Sequence, residues 1–170
     1  MFENGRGVTK DEAEAARLYG LAAAQGHAGA QRNLAWMYAG GHGVAQDDTE
    51  AARLYGLAAG QGDAGARTAL GWMYEYGRGV AQDNAEAVRL YRLAAGQGDA
   101  RAQTHLGWMH QHGRGVAQDD AEAVRLYALA AEQGDARPQH NLGWMYQHGR
   151  GIAPDAAETA AAPVDDAADM

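Results

Sequence analysis

Leu70-Gly71-Trp72-Met73-Tyr74-Glu75-Tyr76-Gly77-Arg78-Gly79-Val80-Ala81-Gln82-Asp83 is the stretch whose reading decides the fold. Versions of it recur so that tryptophan falls at Trp36, Trp72, Trp108 and Trp144, 36 residues apart each time. A fixed period of this size marks a repeat array, in which a single unit cannot bury its apolar face and must stack on its neighbours.

Working outward, Gly7-Val8, Gly43-Val44, Gly79-Val80, Gly115-Val116 and Gly151-Ile152 coincide at the same period, and each precedes an acid. Asp11, Asp47, Asp83, Asp119 and Asp155 each have glutamate three residues on, at Glu14, Glu50, Glu86, Glu122 and Glu158. This is a carboxylate version of the capping box, and it predicts a helix start at each place. The helices are expected over residues 12–25, 48–61, 84–97 and 120–133, with Ala51, Leu54, Tyr55 and Ala58 on one apolar face. Gly26, Gly62, Gly98 and Gly134 stop them, since glycine takes the left-handed cap conformation without a Cβ penalty.

His27, Asp63, Asp99 and Asp135 then open a second set of helices, expected over 28–39, 64–76, 100–112 and 136–148. In the first of these Ala30, Leu34, Met37 and Tyr38 share a face. Gly71, Gly107 and Gly143 sit inside helices at a cost of about 0.5 to 1 kcal/mol each, which predicts a close helix approach there. Pro138 falls in a first turn, where its missing N–H costs little.

Of the 170 residues, 46% are hydrophobic, enough for one continuous core. The formal charge of -8 is uneven. Five of the 22 acids (Asp155, Glu158, Asp165, Asp166, Asp169) lie in residues 151–170, where there is no Lys or Arg, so the repeats are nearly balanced. No basic stripe is available to displace counterions from a phosphate backbone, which argues against nucleic acid. No apolar run approaches the ~20 residues of a membrane span, and Met1-Phe2-Glu3-Asn4-Gly5 lacks a signal-peptide pattern. A cytoplasmic location is the default expectation, with a periplasmic or secreted one if an upstream leader precedes Gly5-Arg6-Gly7-Val8, which enters the repeat in mid-unit. Ala162 and Pro163 replace the leucine and tyrosine of earlier units, so residues 154–170 are expected to be a degenerate, disordered acidic end to a solenoid over 1–153.

The combined pattern, as in Ala66 to Tyr74, Gly77 to Val80, Asp83 to Ala87 and Tyr91 to Gly98, resembles the Sel-one-like repeat family, relatives of the tetratricopeptide repeat. The resemblance covers residues 5 to 153 and implies an all-α, right-handed superhelix of antiparallel helix pairs that binds other proteins. Secreted cysteine-rich members of that family bridge their helices by disulfides, and this chain has no cysteine.

On a helical wheel Trp36 lies opposite the core face, beside positions 29, 32 and 40. Carried over from the concave surface of the tetratricopeptide relatives, the expected partner-binding residues are Arg32, Trp36, Trp72, Tyr76, Arg101, Trp108, His112, Arg137, His140, Trp144 and His148. Gly29, Gly40, Gly65, Thr68 and Thr104 complete the four rows. Two readings of the tryptophans stay open, packing between second helices or an exposed ladder, and they are not exclusive. The relatives' clamp for a terminal carboxylate uses Lys and Asn where this chain has Arg, Thr and Trp, so that ligand is not expected. A carbohydrate surface using the tryptophans for stacking is the alternative to a protein or peptide partner.

Seven histidines invite a metal reading, but His105, His110, His112, His140 and His148 have poor spacing for one site, and no metal or cofactor is expected. With neither Ser nor Cys in the chain, Ser or Cys nucleophilic catalysis is ruled out. The Gly-x-Gly loops lack a following Lys-Ser/Thr and read as turns. A non-enzymatic scaffold is therefore the expectation.

Overall fold

The computed structural model describes residues 11–151, and within them the chain forms eight helices and no strands. They are α1 (Glu12–Ala24), α2 (Ala28–Gly40), α3 (Asp48–Gly60), α4 (Ala64–Tyr76), α5 (Asn84–Ala95), α6 (Ala100–His112), α7 (Asp120–Ala131) and α8 (Ala136–Gln147). Each packs chiefly on its neighbours in the chain, so the fold is a solenoid of helix pairs with a core running along it. The expected cap at Asp155 and Glu158, the acidic tail and the Gly5 to Val8 entry lie outside the described residues.

The helices start where the acids predict. Asp11, Asp47, Asp83 and Asp119 accept hydrogen bonds from the N–H of Glu14, Glu50, Glu86 and Glu122 at 2.9 to 3.0 Å. The other half of the capping box does not form. Those glutamates turn forward instead, to Arg17, Arg53, Arg89 and Arg125 one turn on, because a bidentate guanidinium offers a carboxylate two charge-assisted bonds. At the second helices His27, Asp63 and Asp99 cap in the same way. Asp135 accepts from Arg137 N–H instead, since the usual donor position three residues on belongs to Pro138, which has no N–H to give.

Gly26, Gly62 and Gly98 adopt φ of 86°, 95° and 85°, and the following residue's N–H returns to the carbonyls of Ala22, Ala58 and Ala94, closing the helix end. Gly71 and Gly107 admit the next helix closely, chiefly by making room for its tyrosine ring, with the Ala123 carbonyl of α7 also 3.4 Å from a Cβ placed on Gly107. A Cβ on Gly71 would stand 2.8 Å from the Tyr91 ring, and one on Gly107 2.9 Å from Tyr127. Around Gly143 such a Cβ meets no described atom within 4 Å. Tyr55, Tyr91 and Tyr127 are thus the bolts between successive units, all buried.

Glutamine rungs add polar links between units: Gln61 reaches Gln31 at 2.7 Å, and Gln133 reaches Gln103 at 3.1 Å. No described helix is long and apolar enough to cross a membrane.

Candidate functional site

The second helices α2, α4, α6 and α8 carry the tryptophan rows, because the face opposite Leu34, Leu70, Leu106 and Leu142 turns away from the core. Along it lie three adjoining cavities. The first, about 440 Å³, is lined by Trp36, Trp72, Tyr55, Arg101 and Arg137 among others. A second of about 260 Å³ shares Arg101 and Arg137 with it and adds Tyr76, Thr104 and Trp108. The third, about 250 Å³, is lined by Trp108, His112, His140 and Trp144. Shared side chains make these one groove.

Nine of the eleven expected residues line that groove. Arg32 does not: its guanidinium is held 3.0 Å from Asp63, the cap of α4, so it ties two units together. His148 is the other exception, its ring stacked on Trp144 at 4.2 Å and its Nδ1 2.8 Å from the Trp144 carbonyl oxygen.

The tryptophans fit neither reading uniformly. Trp36 is 56% exposed and Trp72 37%, while Trp108 and Trp144 are half-buried and pack against the core. Each ring also has a local partner: Trp36 stacks on His42 at 4.2 Å, Trp108 on His112 at 4.4 Å, and Trp72 tilts against Tyr76. Arg78, Arg114 and Arg150 lie over Trp72, Trp108 and Trp144 at 5.2 to 5.7 Å. The first unit has His42 in place of that arginine, and its tryptophan is the most open.

These arginines escaped the reading of the sequence, where the Gly-x-Gly loops were only turns. Their period was visible, but their partner was not. Arg78 binds Asp48 through two bonds of 2.8 and 3.0 Å, and Arg150 binds Asp120 likewise at 2.8 Å. The hydrogen bonds from Arg78 hold the Asp48 carboxyl below the usual carboxylate range. In the third unit Asn84 replaces that acid, its Oδ1 is buried without a hydrogen bond among the described residues, and Arg114 is left without the carboxylate.

Glu75 was likewise unforeseen. It is buried, and it accepts a 2.8 Å hydrogen bond from the Tyr91 hydroxyl with His105 Nδ1 3.6 Å away. Burial works to raise its pKa, yet His105 and Tyr91 together outweigh that and hold it below the ordinary value. The histidines do not gather for a metal. His105 stacks on Tyr91, His110 is buried, and His112 stacks on Trp108, so no group of three His, Asp or Glu converges among the described residues.

The graded burial has a measurable consequence. Trp36→Ala should cost under about 1 kcal/mol, whereas Trp108→Ala should cost about 2 to 3 kcal/mol. Urea melts of the two variants compare them directly, and equal losses would contradict the gradient.

The Sel1 repeat family model matches residues 1–27, 28–63, 64–99, 100–135 and 139–161. Among solved structures, c5321, a protective antigen of uropathogenic Escherichia coli with an SLR fold, is 38% identical at a TM-score of 0.83, over 88% of this chain and 32% of its own. A Sel1 repeat protein from Oxalobacter formigenes is 37% identical at a TM-score of 0.80, over 91% of this chain and 63% of its own. Helicobacter pylori cysteine rich protein B, at 23% identity and a TM-score of 0.61, shares the fold over 81% of this chain and 100% of its own. The chain thus spans about a third and just under two thirds of the first two relatives. No curated protein matches the sequence.

Proposed function

The chain belongs to the Sel1 repeat family, and from that premise we propose that it is a non-enzymatic scaffold whose concave groove holds a peptide or a loop of a partner protein. One observation carries the reading: Trp36, Trp72, Trp108 and Trp144 line adjoining cavities bridged by Arg101 and Arg137. Trp, Tyr and Arg are the residue types enriched where protein partners are anchored, since each offers large contact area with a polar handle. The groove is extended along the solenoid, which suits a segment of chain better than a compact small molecule.

The carbohydrate alternative is weakened by the same geometry. A sugar needs an open aromatic face, but Trp108 and Trp144 each already carry a stacked histidine and an overlying arginine.

Affinity capture with the wild-type chain and with a Trp72→Ala, Arg101→Glu double variant, followed by mass spectrometry, tests the proposal. Partners recovered by the wild type and lost with the double variant are expected, given equal circular dichroism for the two. Partners retained equally by both would move the binding surface off this groove.

A further inference from the structure

The three unit interfaces differ in what meets the bolting tyrosine. The bolting tyrosine of each first helix faces the same slot on the second helix before it, and the slot holds Ala39, Glu75 or Gln111. At the later two interfaces the hydroxyl is used: Tyr91 donates to Glu75 and Tyr127 to Gln111, both at 2.8 Å. At the first interface the Tyr55 hydroxyl has no hydrogen-bond partner among the described residues, although the residue is only 6% exposed.

A second slot repeats the pattern. His105 stacks on Tyr91, and Asn141 stands beside the Tyr127 phenol, but the matching residue at the first interface is Ala69. Two truncated side chains, Ala39 and Ala69, therefore leave the space that the cavity of about 440 Å³ occupies, and both line it together with Tyr55. The Tyr55 hydroxyl thus opens on the cavity, where its capacity to donate is available to whatever enters.

The charges at this cavity select what would match it. Of the arginines that line it, Arg78 is held by Asp48 and Arg137 by Asp135. Arg101 has no ion pair or hydrogen bond among the described residues, and its charge acts on the Tyr55 phenol. One hydroxyl donor and one uncompensated guanidinium balance one negative charge, whereas a dianionic phosphate would also face the Asp48 carboxylate. The neighbouring interface already contains the matching group, for there the tyrosine binds the carboxylate of Glu75.

Building on the groove reading, we propose that the cavity between the first two units receives the side-chain carboxylate of an Asp or Glu on an acidic partner peptide. Tyr55 donates to it, Arg101 pairs with it, and an adjacent apolar residue of the peptide lies against Trp36 and Trp72. In effect the ligand supplies at this interface the carboxylate that Glu75 supplies at the next.

A random peptide library selected on the wild-type chain tests this. The expected consensus has Asp or Glu at one constant position beside an apolar residue, and a synthetic, amide-capped consensus peptide should bind about tenfold or more tightly than its Glu→Gln version. Ala39→Gln, which copies the Gln111 to Tyr127 pair, fills the slot with a neutral group that the fold already tolerates. In that variant the Glu-over-Gln preference should vanish, and Tyr55→Phe and Arg101→Gln should each reduce it. Selected peptides without an acidic position, or an intact preference in Ala39→Gln, overturn the assignment while leaving the groove standing. Binding that requires a free peptide C-terminus also overturns it. Selection of no peptide at all overturns both the groove reading and this one.

Discussion

Gly79→Ala should destabilise the protein by about 3 to 5 kcal/mol, while Gly77→Ala in the same loop should cost about 1 kcal/mol. Both glycines have positive φ, 68° and 66°, so both variants carry the strain of a left-handed alanine. They differ in what the new methyl meets. At Gly77 it would meet Gln82 Cβ at 3.3 Å, a contact that a few tenths of an ångström relieves, but at Gly79 it would overlap the carbonyl of Asp48 and the backbone of Thr49. The second glycine of each loop lies against the first turn of the preceding unit's first helix, as Gly43, Gly115 and Gly151 do on Glu12, Asn84 and Asp120. Backbone cannot rotate away as a side chain can, so two units must separate to admit the methyl. Urea unfolding of both variants decides it, and similar midpoints would show that the loops yield.

Alkaline pH should unfold the chain between about pH 10 and pH 12, well before its arginines titrate. Tyr55 is raised to about 12, mainly by burial, with Arg101 and Arg32 pulling the other way. Tyr91 and Tyr127 are raised as well, again chiefly by burial. The sign follows from which state holds the proton. Below about pH 10 these three phenols are protonated in both states and the stability they contribute is fully present. As the pH rises further, the unfolded chain loses protons that the folded chain keeps, and stability drains away. Tyr55 alone contributes a loss of about 2 kcal/mol by pH 12, and the other two add in the same direction. Far-ultraviolet circular dichroism and tyrosinate absorbance should change together. Tyrosinate appearing while the helical signal persists beyond pH 12 would mean that the phenols ionise without unfolding.

The helices themselves were legible because their causes are local. An acid at the cap, a glycine with positive φ at the stop and an apolar stripe between them act within one unit, and a period of 36 residues repeats the message. Even so, local rules misassigned some partners. Glu14 and its equivalents satisfied the capping-box pattern, but a guanidinium one turn on competes better for a carboxylate than a single N–H does. Arg32 was placed in the groove by its position on the wheel, and Asp63, 31 residues later, holds it at the unit boundary.

The sequence by itself determined the element order, the stacking of helix pairs and the face on which the tryptophans stand, since each depends on residues within a turn or two of one another. Tertiary structure alone decided how open each tryptophan is, which of the arginines lining the first cavity lacks an acid among the described residues and where the groove deepens. Those properties arise between helices: the cavity at Tyr55 exists because Ala39 and Ala69, 30 residues apart on different helices, are both too short to reach its hydroxyl. A periodic sequence shows that slots repeat, whereas only the packed solenoid shows which side chains meet in them.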